Sequence, residues 1–243
     1  MNKINLKERF YRDIIESSGL KNYTVKIQET DLLVLSEKNL SKEIKEEVVK
    51  QRDIIKDYIR KNPEFLTSFS PLACKNKNEI IRIMCLSGEM TETGPMASVA
   101  GAIAEIIGKN VFKEKGDFFI ENGGDIYARV KNDFTAGIYA GSSPFSMKIG
   151  IRLNGRAMPY GIATSSGTVG HSFSYGNADA VTVISKSAAF SDGAATHFGN
   201  LVKGKIEQQF FEKELQKFPF IEAILIIKGT EMFLWGDMEL VYF

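Results

Sequence analysis

The chain has 243 residues, of which 44% are hydrophobic, and its 31 lysines and arginines nearly cancel 30 aspartates and glutamates to leave a net charge of +1. That length is enough to bury a substantial core, as one large domain or two small ones. The balanced charge supplies no field to gather nucleic acid or an anionic membrane surface. No stretch approaches the ~20 apolar residues of a spanning helix and Met1 opens no apolar signal core, so the expected compartment is the cytoplasm.

The sequence changes character near residue 88: 18 of the 21 glycines fall from Gly88 to Gly204, and the first 87 residues contain only Gly19. Residues 1–87 read as a helix, hairpin and helix scaffold, and residues 88–243 as the site-bearing part of the same domain. Residues 5–17 place Leu6, Phe10 and Ile14 on one helical face, and residues 23–28 and 32–35 read as short strands turning at Glu29-Thr30. Ser41 is expected to cap a long helix carrying Ile44, Val48, Ile55 and Ile59, which Asn62-Pro63 ends. Cys74 and Cys85, without C-x-x-C spacing, read as reduced structural residues. Residues 79–86 fit neither period cleanly, with helix preferred.

At Gly94-Pro95 the signal sharpens. Proline suits a first helical turn, and residues 96–107 follow with Ala97, Ser98, Ala100, Gly101, Ala102 and Ala104, a helix thin enough to lie close to a neighbour. Short apolar runs then alternate with glycine turns at 118–121, 125–130, 134–139, 147–153, 157–163 and 178–184, which predicts antiparallel strands. Helices are expected at 187–203 and 205–217, and strands at 221–227, 231–235 and 239–242. Helices against antiparallel strands make the fold class α+β.

Three segments can carry chemistry. In Glu121-Asn122-Gly123-Gly124-Asp125 the paired glycines permit positive φ and close approach of a ligand, although the same residues would serve a plain tight hairpin. Thr164, Ser165 and Ser166 open a stretch with six hydroxyls up to Ser174, together with Gly167, Gly170 and His171, the ingredients of an anion-binding loop or of a merely polar one. In Ser187 to His197, Asp192 and Thr196 stand one helical turn apart, so their oxygens face one way and suit Mg²⁺; alternatively Asp192 stabilises the helix start. A serine hydrolase built from Ser165 or Ser166, His171 and Asp179 is disfavoured by the absence of a G-x-S-x-G elbow. Two histidines disfavour a histidine-rich zinc site.

In this order the segments Gly94-Pro-Met-Ala-Ser98, Glu121-Asn-Gly-Gly-Asp125, Ala163-Thr-Ser-Ser-Gly-Thr-Val-Gly-His171-Ser172 and Ser191-Asp-Gly-Ala-Ala-Thr196 resemble the ApbE superfamily, whose best-known members are FAD:protein FMN transferases. The match is nearer its short uncharacterised branch. The resemblance implies a T-fold-related α+β architecture with antiparallel sheets and helices around a flavin cleft. It implies Mg²⁺ held by Asp192, Thr196 and a carbonyl near Ala97. FAD or FMN would lie against Gly94, Ser98, Asn122, Gly123, Gly124, Asp125, Thr164, Ser165, Ser166 and His171, with His171 the candidate catalytic residue. Ser98 stands where the transferases carry a lysine, and a neutral serine cannot replace that charge for a phosphate. After His171 the transferases' Ile-Asp-Pro-x-Thr-Gly is replaced by Ser172-Phe-Ser-Tyr-Gly-Asn.

Three readings follow: a module binding a flavin, another nucleotide or a small anionic ligand; a Mg²⁺-dependent FAD:protein FMN transferase with an acceptor protein; and a non-catalytic accessory protein in cofactor or sulfur metabolism. A homodimer is the expected assembly on general grounds.

Overall fold

The computed structural model describes residues 19–167 and 176–243. The helix expected at 5–17, and His171 and Ser172 with their neighbours, lie outside the described residues. Strands β1 (Lys21–Ile27) and β2 (Thr30–Ser36) form a hairpin, followed by helices α1 (Ser41–Lys61), α2 (Glu64–Thr67) and α3 (Glu79–Thr91). A 3-10 turn (Pro95–Ser98) leads into α4 (Val99–Asn110). Six strands come next: β3 (Phe118–Asn122), β4 (Asp125–Arg129), β5 (Phe134–Gly137), β6 (Ile149–Leu153), β7 (Tyr160–Ser165) and β8 (Ala180–Ser185). The chain closes with α5 (Ala188–Leu201), α6 (Gln208–Leu215), β9 (Ala223–Lys228), β10 (Glu231–Gly236) and β11 (Glu239–Tyr242). The architecture is α+β, as the alternation of strand and helix patterns predicts.

Eight strands form one antiparallel sheet in the order β1-β2-β3-β4-β7-β8-β9-β10, and β11-β6-β5 make a second, smaller sheet. Side-chain alternation along the large sheet shows how the layers stack. Val34, Ile120 and Tyr127 join one core with Ile44, Val48, Ile81, Met84 and Ile106 from α1, α3 and α4. Further along the same face Ala163, Val181, Val183, Ile224 and Ile226 meet Phe198 of α5 and Phe211 and Leu215 of α6. On the opposite face Ile126, Ala128, Ile162, Ile184, Leu225 and Ile227 pack on Ile149, Ile151 and Leu153 of the small sheet. Helices, large sheet and small sheet are therefore three layers. All six residues of β8 are buried, as a central strand covered on both faces requires.

Helix α5 is embedded at backbone distance. A Cβ on Gly101 of α4 would lie 2.3 Å from the Ala188 carbonyl oxygen, and one on Gly161 of β7 would lie 2.2 Å from the Ser187 carbonyl carbon. No side chain fits in either gap, which is the close approach that the small-residue run at 96–107 predicts.

Two local expectations are corrected. Ser41 does not cap α1: the N-cap position is Leu40, without a side-chain cap. Asn39 does the local bonding instead, its Oδ1 accepting from the Ser41 amide at 2.9 Å. Cys74 and Cys85 are joined in a disulfide with Cα atoms 5.9 Å apart, rather than standing as reduced thiols. The segment before α3 folds back over that helix and brings the two together, a proximity that C-x-x-C spacing does not report.

Candidate functional site

The site sits at the end of the large sheet where the β3–β4 hairpin turns. Asn122 pairs with Asp125, so the loop is the two residues Gly123 and Gly124, with φ of 71° and 108°. A two-residue hairpin of this kind needs left-handed backbone at both positions, which glycine adopts without steric cost. The tight turn and the site are thus the same object. The buried Glu121 holds its shape, accepting from the Gly124 amide at 2.7 Å. Beside it β7 runs antiparallel to β4 and delivers Thr164, Ser165 and Ser166, all half-buried, to the same end. The Thr164 hydroxyl is hydrogen-bonded to that of Thr182 at 2.9 Å.

Helix α4 begins over this hairpin. The Asn122 side-chain amide donates to the Ala100 carbonyl at 3.0 Å, while the Gly101 amide donates to Asp192 Oδ2 of α5 at 3.0 Å. The Ala100 amide and Asp125 also interact with that carboxylate. Hairpin, α4 and α5 thus meet at two carboxyl groups. Burial pushes Asp125 well above the usual carboxylate range, and the charges of Asp192 and Glu121 push it further, against a hydrogen bond from the Thr164 backbone. Burial pushes Asp192 up to about 7, against the amide bonds from Gly101 and Ala100. Two touching carboxyls cannot both ionise cheaply, so they share a proton unless a cation supplies the missing charge.

Asp192 does not stabilise the start of α5 as the alternative reading had it. Ser187 is the N-cap, its Oγ accepting from the Phe190 amide. Behind it stands Glu105 of α4, 3% exposed, which accepts from Ser187 Oγ at 2.6 Å, the Ala189 amide at 3.2 Å and Lys109 Nζ at 2.8 Å. A carboxylate at a helix N-terminus meets the positive end of the dipole. Glu105 therefore locks α5, and with it Asp192, to α4. The signal in the sequence was a lone acid in the mainly apolar and small-residue body of α4. Glu105→Ala strips one carboxylate from three donors and is expected to destabilise the protein by about 3 kcal/mol in chemical denaturation. A loss under about 0.5 kcal/mol, the range of an ordinary surface change, would contradict the lock.

The other expected residues divide. Asn122, Gly123, Gly124, Asp125, Thr164 and Asp192 come together, with Ser165 and Ser166 continuing from Thr164. Thr196 lies one turn beyond Asp192 on α5, half-buried, and Ala97 is half-buried on the 3-10 turn. Ser98 and Gly94 have packing duties. The Ser98 hydroxyl is buried and donates to the Pro95 carbonyl at 3.1 Å, and a Cβ on Gly94 would lie 1.8 Å from the Ser68 carbonyl oxygen. Asp179 accepts from the Gly229 amide at 2.7 Å at the β9–β10 turn. The candidate His171 lies outside the described residues.

The sequence profile of the family described as AbpE bacteria matches residues 12–216. The chain belongs to that family. A relative from Methanocaldococcus jannaschii, the UPF0280 protein MJ1526, is 44% identical over 202 residues, 82% of each chain. Two solved structures are similar in shape: the flavin transferase ApbE from Vibrio cholerae, with TM-score 0.61 and 14% identity over 90% of this chain and 97% of that one, and the Pseudomonas stutzeri flavinyl transferase ApbE in its apo form, with TM-score 0.56 and 13% identity over 89% and 93%. At such identity the likeness is one of fold. Among the described residues no helix is long and apolar enough to cross a membrane.

The donor set at Asp125 and Asp192 fits a hard divalent cation. Its oxygens are the carboxylates of Asp125 and Asp192 and, one turn along α5, the Thr196 hydroxyl, all of the hard type such ions take.

Proposed function

We propose that this family member binds a flavin dinucleotide, or another nucleotide with a pyrophosphate, at the sheet end bounded by the β3–β4 turn, the end of β7 and helix α5. The observation that carries the reading is the meeting of Asp125 and Asp192, from two distant segments, beside a glycine turn whose Gly123 is exposed. A divalent ion held by Asp192 and Thr196, with a carbonyl near Ala97, would bind pyrophosphate oxygens and withdraw charge from them. Gly123 and Gly124 leave the turn without side chains, so a phosphate can approach the backbone. Thr164, Ser165 and Ser166 offer hydroxyls along one edge. The amides of Ala100 and Gly101 orient the Asp192 carboxylate. Support from outside the chain is the shared fold with proteins named as flavin transferases.

Transfer of FMN to an acceptor protein is a second reading, favoured by the presence of both Asp192 and Thr196 and opposed by Ser98 at the lysine position. Calorimetry with FAD in the presence and absence of Mg²⁺, with chromatography for AMP, separates the two. Magnesium-dependent binding without AMP supports the binding module. AMP release in the presence of a candidate acceptor supports transfer. Failure to bind FAD or a panel of other pyrophosphate nucleotides at any Mg²⁺ concentration sinks both.

A further inference from the structure

Three helices present a second set of ligating groups. Glu92 ends α3, His197 lies in the third turn of α5, and Glu214 lies near the end of α6; one ligand atom from each falls within 4.8 Å of the others. His197 Nε2 is 3.3 Å from Glu214 Oε1. Ligands at ordinary zinc distances define a tetrahedron with an edge of about 3.3 Å, so this pair already has the right spacing. The imidazole is 8% exposed and gripped by aromatic rings, with Phe198 at 5.2 Å and Phe218 at 4.8 Å between centroids, so its nitrogen is held in direction. Glu92 is exposed and can reach in with little rearrangement. It occupies the left-handed position that closes α3, φ 55° and ψ 36°, where glycine or asparagine is the usual choice.

We propose that Glu92, His197 and Glu214 form a cation site for a borderline transition ion of the zinc type, separate from the Asp125–Asp192 site. One imidazole nitrogen and two carboxylates suit such an ion, with water completing the shell. Lys217 now supplies the positive charge, its Nζ lying 2.9 Å and 2.8 Å from the two Glu214 oxygens. The ion would take over that role from the ammonium group, so lysine and metal compete for one carboxylate. When bound it would tie the ends of α3 and α6 to the middle of α5.

Zn²⁺ alone is the probe, titrated calorimetrically into chelator-treated protein, with Co²⁺ absorption reporting the ligand field. Wild type is expected to take up one equivalent at this site. Glu92→Gln, at an exposed position that spares the core, should weaken the uptake by more than about tenfold, since even outer-shell losses at metal sites cost 10–100-fold. Lys217→Met should tighten it, which a purely structural His–Glu–Lys bridge would not do. Asp192→Asn should leave it unchanged, so failure here is distinguishable from failure of the nucleotide site. No Zn²⁺ uptake by wild type, or equal uptake by wild type and Glu92→Gln, overturns the proposal and leaves the cluster as a salt bridge.

Discussion

Asp192→Asn is expected to weaken magnesium-dependent FAD binding by about 100-fold or more, the scale set by losing a buried charged partner at roughly 3 kcal/mol. The asparagine is nearly isosteric, and its side-chain oxygen can still accept from the Gly101 amide that now bonds Asp192 Oδ2. The α4–α5 contact should therefore persist, and thermal stability without divalent ions checks that it does. What the variant lacks is the charge. Binding of FAD in the absence of Mg²⁺ should be far less affected than binding in its presence. A variant that keeps the full magnesium increment would remove Asp192 from any cation site and leave the proposed function without its anchor.

The second large effect concerns pH. The Asp192 carboxyl titrates near 4 in an unfolded chain and is pushed up to about 7 in the folded one. The folded protein therefore holds a proton that the unfolded chain has released over that interval. The resulting stability is fully present below about pH 4 and lost as pH rises through 7. Asp125, raised in the same direction by burial and by Asp192 itself, adds to that loss. In a chelator-containing buffer, wild type should lose stability from pH 5 to 8 more steeply than Asp125→Asn. The variant should be the more stable of the two at pH 8 by on the order of 1–3 kcal/mol. Mg²⁺ should restore wild type at pH 8 and do little at pH 5, where the shared proton already meets the demand for charge. Parallel pH profiles for wild type and Asp125→Asn would show that the two carboxyls do not titrate as a pair.

Much of the scaffold was legible because periodicity reports burial directly. The run at 178–184 has the apolar continuity of a strand covered on both faces, and β8 is such a strand. Gly123-Gly124 between two apolar runs spelled a two-residue turn, and the small residues of α4 announced a close helix contact without saying with what. The partners were the missing part. Nothing local in the sequence tells Gly101 that Ala188 will lie against it, or brings Asp125 to Asp192, because those meetings are set by the path of the chain from β7 through β8 into α5. Glu105 shows the same limit: its isolation in the mainly apolar body of α4 marks it as unusual, but its task of closing the start of another helix emerges only in three dimensions. The disulfide is a third case, since Cys74 reaches Cys85 through an irregular segment that no periodic pattern describes. Ser98 shows a task the sequence did not signal: its hydroxyl donates to the Pro95 carbonyl, within the turn that leads into α4.

The close backbone approach of α5 to Gly101 of α4 and Gly161 of β7 also limits how this protein can diversify. With main chain against main chain on two sides, the helix has no slack in which to slide or rotate, so Asp192 is fixed in space far more tightly than its sequence neighbours alone would fix it. Changes in ligand preference among related proteins are then expected in the loops that face the sheet end, where length and composition can vary without moving the anchor. Substitutions at Gly101 or Gly161 would act as defects of assembly, visible as lost expression before any change in selectivity could be measured.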